Sequence, residues 1–373
     1  MKIIDVNTYL VSANPEKLER ADRPRGTNWL FVKVYTDEGI NGVGEGGGWP
    51  EVTVTAIQEL KHFLIGEDPF EAENLWMKLY SVLHGHGVTG AVRGGALSAI
   101  DDALWDIKGK ALKVPVYELL GGKCRDRIRV YGHASTPEKA QSLIDQGYTA
   151  FKCAPSVEVI KKLRDSVGYK VEIGLHGHGE FTPGKAISIG RLAEKYEPAF
   201  FEEPVPAENL NALVKVSRKV DIPIATGERF FNKWGFTELF DRNVVDIVQP
   251  EITRLGGITE EKKLASMAEA HYVPVAPHDG SSGPIAEMAN IHVLASIPNF
   301  IFLEHPPVAD KVPWITKVVK GLVPEKEGYI EVPTQPGLGI DINEEEILMH
   351  PPPKVDDLTY RISYKSACPH YLA

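Results

Sequence analysis

The spacing of apolar residues divides the chain into a first third of mixed structure and a longer, regularly alternating remainder. Two strand-like runs and two helical runs stand out in the first third: Ile3–Val11, Trp29–Tyr35, Val52–Leu64 and Ala91–Ala111. The turn residues Asp37-Glu38-Gly39 predict a hairpin, and the Gly121-Gly122 pair interrupts the last helical pattern. We therefore predict an α+β domain over residues 1–123.

After this point, short apolar strands alternate with amphipathic helices. The predicted strands are Ile128–Tyr131, Ala150–Cys153, Val171–Leu175, Ala199–Phe201, Ile222–Thr226, Val245–Val248, Val273–Ala276 and Ile301–Leu303. Eight βα units of this length predict an α/β fold of the TIM type, a closed parallel barrel, over residues 124–327. The segment 328–373 contains strand and turn residues, and we expect it to pack back on the first domain.

The composition narrows the class of function. With 43% hydrophobic and 25% charged residues and a net charge of −10, the chain has no basic surface that would favour nucleic acid or an anionic membrane. A small anionic substrate is still compatible, because a metal ion can invert the charge of a site. The three cysteines, Cys124, Cys153 and Cys368, form no disulfide framework. No apolar run reaches the ~18 residues of a membrane span, and the first residues lack a signal peptide, so we expect a cytoplasmic protein.

Ionisable residues stand at the ends of the predicted barrel strands. They are Lys152, His176, Glu202, Glu228, Glu251, His278 and Glu304. From His176 onward they recur every 23 to 27 residues, which is one βα unit each time. Barrel enzymes place their catalytic residues at this end of the strands. A single such residue could be a solvated loop charge, but six in step predict a shared site.

The sequence around these positions resembles a known family. The motifs are FFEEP, ATGER, VQPEITRLGGIT, VAPHDGSSGPIA and FLEHP, preceded by SAIDDALWDIKGKALKVPVYELLGGK. Together they resemble the mandelate racemase subgroup of the enolase superfamily, and within it the galactonate and gluconate dehydratases. The resemblance implies a capping domain over the barrel, one Mg²⁺, and abstraction of a proton next to a carboxylate.

The resemblance also implies roles for individual residues. Glu202 and Glu228 are implied as metal ligands, and hard carboxylate oxygens suit Mg²⁺. His278 with Glu251 is implied as the catalytic base and its orienting carboxylate, although the family more often has Asp at the second position. Glu304 is implied as the acid that hydrogen-bonds the enediolate oxygen.

The motif GLHGHGEFTP departs from the family pattern. The family has an acidic metal ligand where this chain has His176, two positions before a catalytic histidine that corresponds to His178. Imidazole suits Mn²⁺ or another softer divalent ion better than Mg²⁺. Three interpretations are open: His176 ligates the metal, the site keeps two carboxylates and water, or the metal is lost. We prefer the first. His178 matches the dehydratase acid that protonates the leaving hydroxyl, with a solvated loop histidine as the alternative.

Two basic residues are assigned to the substrate. Lys152 stands where the superfamily often has a K-x-K pair, but the second lysine is replaced by Ala154. This removes the base typical of racemases on that side, so Lys152 binds the substrate carboxylate or lines the mouth. Arg229, in ATGER, is assigned to substrate binding.

The sequence thus predicts a hydro-lyase that converts a small acid sugar into a 2-keto-3-deoxy acid, with galactonate preferred and gluconate next. A racemase or epimerase on the same scaffold, or a non-catalytic barrel without its metal, are the alternatives. The resemblance implies a homo-oligomer, with an octamer as one form.

Three further features are predicted to lie outside this chemistry. The GxGxxG match at 42–47 is expected to be a loop of the capping domain rather than a nucleotide site, because no second βαβ unit follows it. His84 and His86 are expected in a lid or at the surface, and the segment Ser12–Gly26 in a lid loop.

Overall fold

The computed structural model describes residues 1–13, 28–82, 90–280, 282–305 and 312–352. His84, His86 and most of the predicted lid segment (14–26) lie outside the described residues. None of the described helices combines the length and apolarity needed to cross a membrane.

The first domain is a three-stranded antiparallel sheet covered by helices. Its elements are β1 (Ile3–Ser12), β2 (Asn28–Thr36), β3 (Asn41–Gly46), α1 (Pro50–Lys61), α2 (Ala72–Val82), α3 (Ala91–Leu112) and α4 (Val116–Leu119). The strands pair in chain order, and the predicted hairpin turn has Gly39 at φ 76°, where glycine is favoured. The sequence pattern predicted β1, β2, α1 and α3, but missed β3 and α2.

The glycine-rich stretch at 42–47 is not the predicted loop, since most of it forms β3. A Cβ added at Gly42 or Gly44 would lie 2.0 Å from a backbone oxygen of α3, at Ala103 or Ala99. These glycines are therefore required for the close contact between α3 and the sheet. Glycine has low strand propensity, which is why the pattern did not indicate a strand here.

The second domain is the predicted closed barrel. Its strands are β4 (Arg127–His133), β5 (Ala150–Cys153), β6 (Glu172–His176), β7 (Phe200–Glu202), β8 (Ile224–Thr226), β9 (Ile247–Val248) and β10 (Leu303–Glu304). Neighbours from β4 to β9 pair in parallel, and β10 pairs with β4. The seventh strand position is Val275, which bridges Val248 on one side and Phe300 on the other and closes the ring. The α/β barrel predicted from the sequence is confirmed.

Helices cover the outside of the barrel. They are α5 (Pro137–Asp145), α6 (Val157–Val167), α7 (Pro183–Ala193), α8 (Leu210–Ser217), α9 (Asn232–Asp241), α10 (Ile252–Leu255), α11 (Gly257–Ala270) and α12 (Pro284–Ala295). Inside, an apolar plug fills the barrel. It comprises Tyr131, Ala150, Phe200, Ala225, Ile247, Ala276 and Phe302.

Carboxylates of the first domain bind two helix N-termini of the barrel domain. Asp102 accepts a hydrogen bond from the backbone of Ile258 (3.1 Å) and Asp101 from that of Thr259 (2.8 Å), at the start of α11. Glu45 accepts from Gly283 (2.5 Å) and Ala286 (3.0 Å) at the start of α12. The first N–H groups of a helix have no acceptor within the helix, so these hydrogen bonds position the first domain over the barrel.

The last described part of the chain, residues 312–352, overlaps the predicted C-terminal segment and contacts both domains. Its elements are α13 (Ile315–Val318), β11 (Val319–Lys320), β12 (Glu325–Lys326), β13 (Tyr329–Glu331), β14 (Asp341–Ile342) and α14 (Glu344–Ile347). Strand β13 pairs antiparallel with β4 of the barrel. The backbone of Leu338 donates to Asp106 of α3 (2.8 Å). The segment therefore bridges the two domains, and the division at residues 123 and 327 stays a prediction.

Candidate active site

Polar side chains line the barrel mouth two positions after the plug residues. Lys152, Glu202, Gln249, His278 and Glu304 follow Ala150, Phe200, Ile247, Ala276 and Phe302 in this way. Residues two apart point to the same face of a strand, so the plug sets the level at which these groups converge. His176 follows Gly174, where an added Cβ would lie 2.1 Å from the Phe200 ring.

His278 and Glu251 form the contact that the sequence predicted. His278 Nδ1 lies 2.7 Å from Glu251 Oε2, and both side chains are buried. Glu251 is the N-cap residue of α10, and its Oε1 accepts hydrogen bonds from the hydroxyls of Thr253 (2.6 Å) and Ser282 (2.8 Å). The side chains of Thr253 and Ser282 therefore hold the carboxylate in place, and the carboxylate fixes the imidazole of His278 in turn.

The charges around this pair favour a protonated imidazole beside an ionised carboxylate. Burial alone would raise the pKa of Glu251, but Arg254 and His278 outweigh it and lower that pKa to about 2. Burial alone would lower the pKa of His278, but Glu228, Glu304 and Glu251 raise it to about 9. The raised pKa makes the neutral form of His278 a stronger proton acceptor than an ordinary imidazole.

A saturated ionic network lies on the opposite side of the mouth. Lys152 Nζ lies 2.7 Å from Glu202 Oε1 and 3.0 Å from Glu304 Oε1, and all three side chains are at most 2% exposed. Glu202 Oε2 accepts a hydrogen bond from Gln249 (3.0 Å). His133 Nε2 lies 2.5 Å from Glu304 Oε1. Each carboxylate in this network therefore already has close partners.

This network keeps both glutamates ionised. Burial would raise the pKa of Glu202, but Lys152 and His176 lower it to about 2. Burial opposes ionisation of Glu304 as well, yet Lys152 and His278 hold its pKa well below the usual range. The sequence predicted Glu304 as a protonated donor toward the enediolate oxygen. In the structure, Lys152 Nζ lies 3.0 Å from Glu304 Oε1, and the assignment of Glu304 to the enediolate oxygen stays a prediction.

The two histidines of GLHGHG are held at the end of β6 by the neighbouring strand. The backbone of Gly177 donates to Glu202 O (2.7 Å) and that of Gly179 to Glu203 O (2.8 Å). A Cβ at Gly177 would lie 2.6 Å from Glu203 O, so glycine is required between the histidines. His178 itself adopts φ 52°. The imidazole rings of His176 and His178 are 5.1 Å apart and nearly perpendicular.

These histidines and Glu228 form a group suited to a metal ion. One ligand atom from each of His176, His178 and Glu228 lies within 4.8 Å of the others. Among the described residues, the buried atoms His176 Nε2 and Glu228 Oε2 have no hydrogen-bond partner. Burial lowers the pKa of His176 to about 4, which leaves its imidazole neutral and able to bind a cation. The donor set therefore fits a divalent ion.

The remaining predicted metal ligand and Arg229 lie at the edge of this group. Glu202 Oε1 is 3.3 Å from His176 Nε2, but its closest partner is Lys152. Arg229 forms an ion pair with the buried Glu203 and lies 3.9 Å from Glu228 Oε2. Arg229 therefore flanks the mouth while it compensates a buried charge.

Three residues of the site were missed from the sequence: His133, Gln249 and Arg254. His133 and Gln249 occupy the inward position two residues after Tyr131 and Ile247, and this register would have indicated them. Arg254 follows Glu251 by one helical turn. Its guanidinium lies 3.3 Å from Glu251 Oε2 and 3.7 Å from Glu228 Oε1. Its role depends on α10, which the pattern did not predict.

Family models match both domains of the chain. Residues 5–121 match the N-terminal domain of the mandelate racemase / muconate lactonizing enzyme family, and residues 135–346 match the enolase C-terminal domain-like family. The chain belongs to the enolase superfamily. The family that the sequence motifs resemble is therefore confirmed.

Individual relatives support a hydro-lyase. A D-galactonate dehydratase of Verminephrobacter eiseniae is 35% identical over 93% of this chain and 94% of the relative. A D-xylonate dehydratase of Haloferax volcanii is 33% identical over 94% of this chain and 89% of the relative. The structure of an enolase from Pantoea ananatis with bound D-gluconate and Mg is 32% identical, with a TM-score of 0.85 and coverage of 94% of each chain. The chain is thus a lyase similar to the galactonate dehydratases.

Proposed function

We propose that this chain dehydrates an aldonate, removing the C2 proton and the C3 hydroxyl to give a 2-keto-3-deoxy acid. The position of His278 carries the proposal. Its Nδ1 is held by Glu251, while its Nε2 faces the mouth at 3.6 Å from Glu228 Oε2 and 3.8 Å from Glu304 Oε2. An imidazole fixed at one nitrogen and free to face substrate with the other is suited to act as a general base.

The charged groups opposite His278 would stabilise the product of proton removal. A divalent ion held by a set that includes His176 and Glu228 would bind the substrate carboxylate and offset the negative charge that develops. Lys152, fixed between Glu202 and Glu304, adds a buried positive charge on the far side. Arg229 lies at the rim, where it can contact the polyhydroxyl chain.

The sequence resemblance assigns the acid for the leaving hydroxyl to His178. Its side chain is 37% exposed, so it can contact a bound substrate. Its position beside His176 and Glu228 also suits metal ligation.

Galactonate is the first candidate substrate and gluconate the next. Relatives carry the names of galactonate and xylonate dehydratases, and a solved relative holds gluconate. These aldonates share the configuration at C2 and C3, where the reaction occurs. The catalytic residues therefore do not distinguish them, and selectivity rests on contacts at the rim of the barrel.

The decisive experiment is a screen of aldonates and aldarates, run with Mg²⁺ and with Mn²⁺. We expect a 2-keto-3-deoxy product, detected as its semicarbazone, from one or more aldonates of this configuration. The His278→Asn variant should lose about 10²–10⁴-fold in rate, while His62→Asn, at an exposed position, should keep the parent rate. Exchange of the C2 proton with D₂O without product would indicate a racemase or epimerase instead. Neither exchange nor product with any acid sugar would indicate a non-catalytic barrel.

A further inference from the structure

We propose that the metal centre of this chain consists of His176, His178 and Glu228, a two-histidine, one-carboxylate set, with Glu202 outside the coordination shell. This deepens the proposed function and rests on it only in placing the ion in the same barrel mouth. It gives His178 the role of a ligand rather than of the acid.

The three proposed ligand side chains lie close together. Ligand atoms of these three residues lie within 4.8 Å of one another. Metal–nitrogen and metal–oxygen bonds of about 2.0–2.2 Å bring ligand atoms on one ion to about 3–4 Å from each other. The three ligand atoms are therefore near the spacing that one bound ion requires.

Two residues of this set have buried polar atoms without a partner among the described residues. Glu228 Oε2 and His176 Nε2 make no hydrogen bond among the described residues, and Glu228 is only 7% exposed. Cationic groups on His278, Arg254 and Arg229 lie 3.6 to 3.9 Å from the Glu228 carboxylate oxygens. A buried carboxylate oxygen without a hydrogen bond is costly, and a cation between Glu228 Oε2 and the histidines would remove that cost.

Both oxygens of Glu202 already have close partners. One of its oxygens is 2.7 Å from Lys152 Nζ and the other accepts from Gln249 at 3.0 Å. A metal ion bound to this carboxylate would lie beside the buried Lys152 ammonium, and the two positive charges would repel each other. Glu202 Oε1 also lies 3.3 Å from His176 Nε2, without a hydrogen bond between the two atoms.

The loop geometry brings His178 toward the other two ligands. The backbone hydrogen bonds of Gly177 and Gly179 to the end of β7 fix the loop on both sides of His178. His178 Nδ1 lies 3.6 Å from Glu180 Oε1, so the same loop places a carboxylate near this imidazole.

This set favours a different ion from the carboxylate sites of the family. Two neutral imidazoles and one carboxylate are typical of Zn²⁺ and Fe²⁺ sites with open positions, and nitrogen donors bind later transition metals more tightly than Mg²⁺. With a divalent ion the three ligands carry a net charge of +1, which attracts an anionic sugar acid.

The new role of His178 also changes the proton path. His278 takes the C2 proton, and the same imidazolium can return it to the C3 hydroxyl as the C3–O bond breaks. Water then leaves and the enol of the 2-keto-3-deoxy acid remains. Base and acid are one group, so the elimination would be syn.

The test is titration of the full-length, metal-stripped protein with Co²⁺, followed by the visible absorption of the bound ion, and with Mg²⁺ by calorimetry. We expect Co²⁺ to bind at least about tenfold more tightly than Mg²⁺. His178→Ala and Glu228→Gln should each weaken Co²⁺ binding at least about tenfold, while Glu202→Gln should change it less than about threefold. Circular dichroism and thermal unfolding of each variant verify that it is folded.

Two results would overturn the proposal. One is that wild-type protein binds neither ion at millimolar concentration. The other is that His178→Ala binds Co²⁺ like wild type while Glu202→Gln loses binding, which would assign the site to His176, Glu202 and Glu228. Pulsed EPR of the Mn²⁺ form gives an independent measure, since two bound imidazoles give nitrogen couplings that vary with His178. None of these measurements depends on turnover, so the absence of dehydration would reject the proposed substrate class and leave the metal assignment standing.

Discussion

Two sides of the barrel mouth hold buried charge in opposite ways. On one side, Lys152 compensates Glu202 and Glu304 at 2.7 and 3.0 Å, and Gln249 and His133 complete the network. On the other side, Glu228 and His176 retain buried atoms without a hydrogen bond among the described residues. Both sides come from strand ends of the same barrel, so the difference lies in the residues and not in the fold.

This difference separates structure from ligand binding. A saturated ionic network is strongly destabilised by the loss of one member, because the others are left as uncompensated buried charges. A cluster whose buried polar atoms have no partner contributes little to the stability of the fold until a ligand binds to it. Removing a member of the first should therefore cost stability, and removing a member of the second should cost binding.

Lys152→Met should give the largest effect on stability. The variant leaves Glu202 and Glu304 buried and ionised without their cation, so we expect a loss of about 3–5 kcal/mol in the free energy of unfolding. Urea unfolding of metal-free protein at pH 7.5 measures it. Lys162→Met is the matched control, since Lys162 pairs with Glu158 on the exposed surface of α6 and should contribute less than about 1 kcal/mol. A loss below about 1 kcal/mol for Lys152→Met would contradict the description of the network as saturated.

A second test concerns His292, a buried histidine that differs from His176 in having a hydrogen-bond partner at each ring nitrogen. Burial lowers the pKa of both His176 and His292 to about 4. His292 is fully satisfied: its Nδ1 accepts from the backbone of Tyr117 (3.2 Å) and its Nε2 donates to Leu338 O (3.1 Å). Protonation of Nδ1 would break the first of these contacts.

The pH dependence of stability follows from His292. The unfolded chain binds a proton near pH 6.5 and the folded chain only near pH 4, so the unfolded state holds more protons between these values. The stabilisation is complete above about pH 6.5 and is lost as the pH falls toward 4, in total on the order of 3 kcal/mol. Unfolding of wild type and His292→Gln at several pH values measures it as their difference, with exposed His271→Gln as the control. A difference that does not vary with pH would refute the assignment.

Metal binding should raise the free energy of unfolding by slightly less than the contribution expected for His292. A divalent ion at 100 times its dissociation constant adds about 2.7 kcal/mol to the free energy of unfolding if it binds only the folded state. We expect this gain for wild type with Co²⁺, its reversal by a chelator, and its absence in Glu228→Gln. An equal gain in Glu228→Gln would place the ion elsewhere.

The sequence predicted the barrel because alternating apolar strands and amphipathic helices leave few other folds. It also predicted the His278–Glu251 contact, since the family motif places both residues at adjacent strand ends. The regular spacing of the polar residues concealed a difference in register, however. On β9 the inward residue is Gln249, whereas Glu251 caps a short helix, and spacing alone does not separate these positions.

The sequence did not predict which side chains contact each carboxylate. Glu202 and Glu228 occupy equivalent motifs, but Lys152 reaches only the first of them. That outcome depends on the level of side chains inside the barrel, which the plug residues set through packing. The same limit applies to His178, whose direction is determined by a left-handed backbone position and by two hydrogen bonds to the next strand.

The smallest expected effect is that of His178→Asn on the metal-free protein. Asparagine tolerates the left-handed conformation at φ 52°, so no new backbone strain arises. His178 is partly exposed and lies outside the Lys152 network, so we expect a change within about 0.5 kcal/mol in the free energy of unfolding. The same variant should lose most of the stabilisation by Co²⁺. Unfolding with and without the ion measures both quantities on one sample. A large loss of stability without metal would show that His178 is part of the saturated side of the mouth.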